Sequence, residues 1–238
     1  MGALIADTFQ PSTFVDALRF IGDNPHFLLT KALEQLQLSA AALLIAAAVA
    51  LPVGILLGHL HRGSTFAIGT SIVGRALPSL VLIGVFLTVL GIGFVNNMAA
   101  LAVLATGPML TNAYDGVDGV DRDVVESAHG MGMSGRQVLA RIELPLALPL
   151  IFVGIRIAAV TVVATAPIAA IAGGGGLGDI IVNQASYRLE GVLGASLCVM
   201  ALSAGVWLLL VGIQTAITPT GLRLTKVPGD HHLGKEPL

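Results

Sequence analysis

The charged residues of this chain are few enough to weigh individually, and their densest group collects in one place. The longest polar interruption, Tyr114 to Leu144, holds Asp115, Asp118, Asp121, Asp123, Glu126 and Glu143. No nucleophile and base accompany these carboxylates, so no enzymatic chemistry is expected of the chain. A second candidate is Gly173-Gly174-Gly175-Gly176-Leu177-Gly178-Asp179. It could cradle a phosphate, but it lacks the Lys and Ser/Thr that must follow such a loop. It reads instead as a hinge or re-entrant turn, with Asp179 capping the next helix. His231 and His232 have no matching ligand set, so no metal site is expected. His59 and His61 read as interfacial, and Cys198 as a small apolar packing residue.

The long interruption reads as two short helices. Asp123 can cap the first, with Glu126 three residues on reaching back to free amides. Val124, Val125, Ala128 and Met131 then share a face. Gly132 ends this helix. Ser134 and Gln137 make a Ser-x-x-Gln capping box for the second, which is expected to run to about Ile142. Pro145 and Pro149 follow at the start of the next apolar run. The expected product is a helix–turn–helix knob with small residues at its bend, suited to a groove on a partner.

The elements that must carry this knob are set by composition. Of 238 residues, 55 % are hydrophobic and 11 % charged, against about 25 % charged in a soluble domain. A water-soluble fold of this size could not hide that much apolar surface. The net charge of −2 provides no basic surface for nucleic acid. Met1 to Pro25 lacks the basic start and apolar core of a signal peptide. Five apolar stretches approach the roughly 20 residues of a membrane span. They are Leu36 to Leu57, Phe66 to Leu90, Asn97 to Ala113, Leu150 to Ile171 and Gly191 to Ile217. Pro78 could divide the second, giving six elements. The fold expected is all-α and polytopic.

With five spans, Arg62, Arg122, Arg136, Arg141, Arg223, Lys226 and Lys235 share one side. Arg19, Lys31 and Arg188 share the other. The richer side should be cytoplasmic, which places the N-terminus outside and the C-terminus inside. Residues 1–30 then form an extracytoplasmic segment, 31–217 the membrane domain with a cytoplasmic loop at 115–145, and 218–238 a cytoplasmic tail. Arg75 and Arg156 fall in apolar stretches and should face protein or snorkel to an interface. Pro78, Ser79, Thr111, Asn112, Gly175 and Gly176 are candidates for a pathway or gate. Thr111 and Asn112 could equally bond neighbouring helices.

Glu126-Ser127-Ala128 is followed after three residues by Gly132, after nine more by Ile142, and then by Leu144-Pro145. This resembles the Glu-Ala-Ala loop of the permease subunits of bacterial ABC importers, with Ser127 the single departure among seven specified positions. The resemblance covers roughly Leu33 to Ile217. Arg75 to Leu80, Gly130 to Ser134 and Gly154-Ile155-Arg156 look like the permeases for quaternary-amine osmoprotectants. Methionine permeases carry a similar Gly-rich segment, but Met131-Gly132-Met133 and Glu143 to Pro149 favour the osmoprotectant branch. The resemblance implies a type I importer fold in a prokaryotic cell membrane. It also implies a separate ATPase that uses ATP and Mg and docks on the loop, a second permease subunit, and a separate extracytoplasmic binding protein. A chain of this length has no room for a fused one. Its single Trp, two Tyr and eight Phe form no sequence cluster that would cage a quaternary amine, which fits selection by that separate protein. The alternatives are a methionine or other small-polar-solute importer, or an ion-coupled secondary transporter. The latter usually needs mid-membrane acids, and the five stretches contain no Asp or Glu.

Overall fold

Ala42, Ala46, Ala50, Gly54 and Gly58 recur every fourth residue, which keeps them on one stripe of a helix. In the computed structural model, which describes residues 11–65, 67, 69–70 and 78–217, all five are buried on helix α2 (Pro25–His59). Pro25 opens α2 in its first turn, where a missing amide costs nothing. The stripe packs on α4 (Phe94–Asp118) so closely that side chains are excluded. A Cβ on Gly54 would lie 2.6 Å from the Leu110 carbonyl oxygen, and one on Gly58 2.8 Å from that of Tyr114. Large residues point the other way, with Leu44 71 % exposed. Small inside and large outside suits lipid, where close packing rather than water exclusion holds helices together.

The opposite flank of α4 meets α7 (Leu144–Thr165) in the same manner. A Cβ on Gly154 would lie 2.8 Å from the Pro108 carbonyl oxygen, and one on Gly116 3.2 Å from that of Ala147. Helix α3 (Ser79–Leu90) lies on α4, and α9 (Gln184–Ile217) lies on α7 and on α1 (Pro11–Asp23). The remaining pieces are α5 (Arg122–Gly130), α6 (Gly135–Val138), a π turn (Leu139–Glu143), a 3-10 helix (Ala166–Ala172) and α8 (Gly178–Val182).

Among the described residues, four helices are long and apolar enough to cross a membrane, not five or six: Pro25–His59, Phe94–Asp118, Gly135–Ala172 and Gln184–Ile217. The second stretch makes the difference. Its described part, α3, has 12 residues, about 18 Å against a hydrocarbon core of about 30 Å. Pro78 caps α3 in an extended conformation, ψ 130°, rather than kinking a longer helix. Arg75 lies outside the described residues. Residues 61 and 93 nevertheless lie at opposite ends of α4. His61 bonds Asp118, the last residue of α4, whereas the Gly93 amide, just before α4, donates to the Ala172 carbonyl at the opposite end.

The helices also outrun the apolar stretches. α2 begins at Pro25, ahead of the boundary drawn at residue 30, and α4 continues through Asp118, past the expected loop start at 115. Hydropathy stops at a charge, whereas a backbone ladder does not. Glu34, Asp115, Asp118 and Glu143 therefore lie inside long helical runs, all near their ends. That corrects the expectation that the spans are free of acids. α9 kinks at Arg188, whose φ is 55°.

Candidate functional site

The knob forms, with different details. Asp121, not Asp123, caps α5: its Oδ1 accepts from the Asp123 amide at 2.9 Å. Asp123 sits in the first turn, where a negative charge suits the helix dipole. The helix stops in a Schellman turn. The Met133 amide donates to the Ala128 carbonyl at 3.2 Å, and the Gly132 amide to that of His129 at 2.9 Å. Gly132 has φ +85°, with nothing within 4 Å of where a Cβ would stand. Glycine is therefore demanded there by backbone handedness, not by crowding. The Ser134 amide donates to Gln137 Oε1 at 2.8 Å, as the capping pair requires.

The second arm does not end at Ile142. α6, the π turn, α7 and the 3-10 helix form one run, Gly135–Ala172. In the π turn the Leu144 amide reaches back five residues to the Leu139 carbonyl. Pro145 has no amide to give Arg141, and its ring would crowd that carbonyl; a widened turn accommodates it. The elbow is thus a direct extension of a membrane-length helix. Ala128 and Val138 are buried, one on each arm, while Glu126 and Ser127 are exposed. The expected apolar face splits. Ala128 is buried and Val125 half-buried, but Val124 is 42 % and Met131 73 % exposed. The bend therefore presents apolar surface beside a carboxylate and a bare backbone.

Two histidines anchor this end. His59 Nδ1 lies 2.6 Å from Glu143 Oε2, and Glu143 is only 2 % exposed. A carboxylate can only accept, so the imidazole donates. His61 Nδ1 meets Asp118 Oδ1 at 2.7 Å.

The far end of α2 holds a second cluster. Lys31 Nζ bonds Glu34 Oε2 at 2.9 Å and Asp179 Oδ2 at 2.8 Å. The Gly176 amide donates to Glu34 Oε2 at 3.0 Å, and Gln35 Nε2 to the Val163 carbonyl at 3.0 Å. Here the Gly-rich segment folds back on the 3-10 helix, with Gly178 against the Pro167 carbonyl. Leu177 takes the cap position of α8, so Asp179 pairs with Lys31 instead of capping. Gly176 has φ +79°, and a Cβ there would stand 3.0 Å from Gln35 Cβ. Gly176→Ala should cost about 1–2 kcal/mol from handedness alone. It should lower the thermal unfolding temperature in detergent, whereas Gly84→Ala, with nothing within 4 Å, should not.

Between the ends, Arg156 Nη1 donates to Gln214 Oε1 at 3.1 Å, and its Cζ lies 6.0 Å from the Trp207 ring centroid. Gln214 Nε2 in turn donates to the Pro149 carbonyl at 3.2 Å. Arg156 does not stand at a helix end. Its Cα is well inside the run Gly135–Ala172, and its head reaches back toward the elbow end to join α9 to α7.

The family described as "Binding-protein-dependent transport system inner membrane component" matches residues 50–220. The chain belongs to this family. It is an ABC transporter permease. The carnitine transport permease protein OpuCB of Listeria monocytogenes is 36 % identical over 212 residues, 89 % of this chain and 97 % of that one. The glycine betaine/carnitine/choline transport system permease protein OpuCB of Bacillus subtilis (strain 168) is 34 % identical, covering 87 % and 95 %. Among solved structures, an inward-facing conformation of the MetNI methionine ABC transporter superposes with a TM-score of 0.69 at 20 % identity, covering 81 % of this chain and 96 % of that one. At that identity the likeness concerns the fold.

The permease brings the motif residues together. Glu126, Ser127 and Ala128 lie on α5, Gly132 in its terminal turn, Ile142 in the π turn, and Leu144 and Pro145 at the start of α7. The pathway candidates are dispersed. Pro78 and Ser79 begin α3, and Gly175 and Gly176 lie at the far end. Thr111 Oγ1 donates to the Ala67 carbonyl at 2.9 Å, and Asn112 Nδ2 to that of Pro108 at 2.8 Å. Both side chains are bonded to backbone. His231 and His232 lie outside the described residues. The His59–Glu143 and Lys31–Asp179 pairs escaped the sequence reading. Their members are 84 and 148 residues apart, and no local pattern joins them.

Proposed function

We propose that the permease translocates a quaternary-amine osmoprotectant of the glycine betaine or carnitine type, delivered by a separate extracytoplasmic binding protein. A partner ATPase seats on the elbow between Arg122 and Pro145, and a second permease subunit completes the pathway. The observation that carries the coupling half is the elbow itself. Its bend is exposed and partly apolar, and its second arm continues unbroken into a membrane-length helix. A push on the bend is therefore a push on that helix. The substrate half is supported by the relatives whose printed names include carnitine, choline and glycine betaine. The methionine transporter resembles this chain in fold alone and does not favour methionine.

The elbow end faces the cytoplasm, with the N-terminus outside and the C-terminus inside, because that end carries Arg62, Arg122, Arg136 and Arg141. The acids inside the long runs sit near helix ends, not at mid-membrane where an ion-coupled carrier would use them. The test is uptake by proteoliposomes holding the permease, its ATPase and its binding protein. Labelled glycine betaine and carnitine should enter only with ATP, and methionine should not. Uptake of methionine, or uptake without nucleotide, would overturn the reading.

A further inference from the structure

Among the described residues, α2 is the one helix whose two ends are each tied by charged side chains to a different functional segment. Its 35 residues span about 52 Å. At the elbow end His59 holds Glu143, a carboxylate inside the π turn that joins elbow to membrane helix. At the far end Lys31 holds Asp179, Glu34 holds the Gly176 amide, and Gln35 holds the Val163 carbonyl. Between the ends, Gly54 and Gly58 are locked against α4 with no room for a Cβ. We propose that His59 and Lys31 are positioning residues through which α2 carries displacement of the elbow to the Gly173–Asp179 turn. This rests on the docking role given to the elbow above.

The physical argument has three steps. Glu143 is buried, so pulling it from His59 would strand an uncompensated charge. Moving α2 with the elbow is the cheaper response. His61, bonded to Asp118, draws α4 along with it. The pair α2–α4 cannot slide internally, because its contact is backbone against backbone at Gly54 and Gly58. The far-end links are of another kind. They are polar, Lys31, Glu34 and Asp179 are partly exposed to solvent, and the turn they hold contains three glycines at positive φ: Gly173, Gly175 and Gly176. That end also holds unused bonding capacity. Gln35 Oε1 and Ser39 Oγ, one turn apart on α2, are buried without a hydrogen-bond partner among the described residues. Native structures rarely leave such groups unpaired. Gln35 lies directly against Gly176, so a rearrangement of the turn changes what surrounds it.

The test uses the complete reconstituted complex of permease, ATPase and binding protein, with three readouts: ATPase co-purification, ATP hydrolysis, and solute taken up per ATP. His59→Leu and Lys31→Met should each leave the ATPase bound and hydrolysing while uptake per ATP falls about tenfold. His59→Gln, which keeps an N–H donor, should recover most of the loss. The double variant should be no worse than the weaker single variant. Sites this far apart ordinarily act independently, so losses that multiply would overturn the inference. So would a wild-type ratio in either single variant. If His59→Leu does not accumulate, Lys31→Met and Asp179→Asn at the partly exposed end decide the matter by the same ratio. An ATPase that stays bound when the elbow itself is altered by Gly132→Arg would instead overturn the docking reading.

Discussion

Gly132→Arg should leave the permease in the membrane and strip it of its ATPase. The reasoning separates two effects that this position combines. Its φ of +85° disfavours any L side chain, at a cost of about 1–2 kcal/mol. Space is not limiting, because no atom lies within 4 Å of the Cβ position. Gly132→Ala therefore reports the backbone cost alone and should retain most transport. Arginine adds a long cation at the centre of the exposed bend, between Met131 and the second arm. If a partner encloses that bend, the cation is buried against it or blocks closure. A loss of about 2 kcal/mol or more, usual for a central interface position, gives a drop in uptake of about thirtyfold or more. Co-purification of the ATPase and solute uptake measure the two consequences, and surface labelling verifies insertion. Retention of both by Gly132→Arg would mean the bend is not enclosed. Glu126→Lys, on the exposed face of α5, should act in the same direction.

The second large effect is expected deep in the membrane domain, at Gly54→Leu. A Cβ there would stand 2.6 Å from the Leu110 carbonyl oxygen and 2.9 Å from Ala113 Cβ. Neither can retreat, since one is helix backbone and the other a methyl on the facing helix. Leucine must therefore pry α2 from α4. Overpacking alone costs about 1–3 kcal/mol, and separation of the helices forfeits dispersion contacts along the whole small-residue stripe. The expected result is a protein that fails to accumulate in the membrane or elutes as aggregate in detergent. Gly205→Leu on α9 is the control: nothing lies within 4 Å of its Cβ position, and it should behave as wild type. If the two variants were indistinguishable by size exclusion and thermal inactivation, α2 and α4 would not pack as described. Because the clash is made by Cβ itself, Gly54→Ala should already lower the yield, and leucine should lower it further.

Residues close together in the chain were the ones whose arrangement could be read from it. The Gly132 turn follows from a glycine placed after an amphipathic stretch, and the Ser134–Gln137 cap from a spacing of three. The cap of α5 was read two residues late. Asp121 and Asp123 are chemically equivalent, and only the backbone decides which stands outside the helix. The second arm reads as ending near Ile142, but the backbone has a third option besides helix and stop, a π turn, which no residue type announces. The span count differs at the Phe66–Leu90 stretch, whose described part, α3, is too short to cross. The span boundaries differ for a related reason: a hydropathy window treats Glu34, Asp118 and Glu143 as ends, whereas the ladder runs through them and each charge is met by a partner from elsewhere.

What the amino-acid sequence by itself determined is the class of molecule and the elbow. A composition this poor in charge must reside in lipid, and seven motif positions at fixed spacing are a local pattern that survives without knowledge of the fold. What only the tertiary structure decided is which distant residues meet: His59 with Glu143, Lys31 with Asp179, Arg156 with Gln214. Such pairs depend on helix length, rotation and crossing, which the close approach of Gly54 and Gly154 to their neighbours sets in three dimensions. A one-dimensional pattern records that small residues recur, but not which helix they receive.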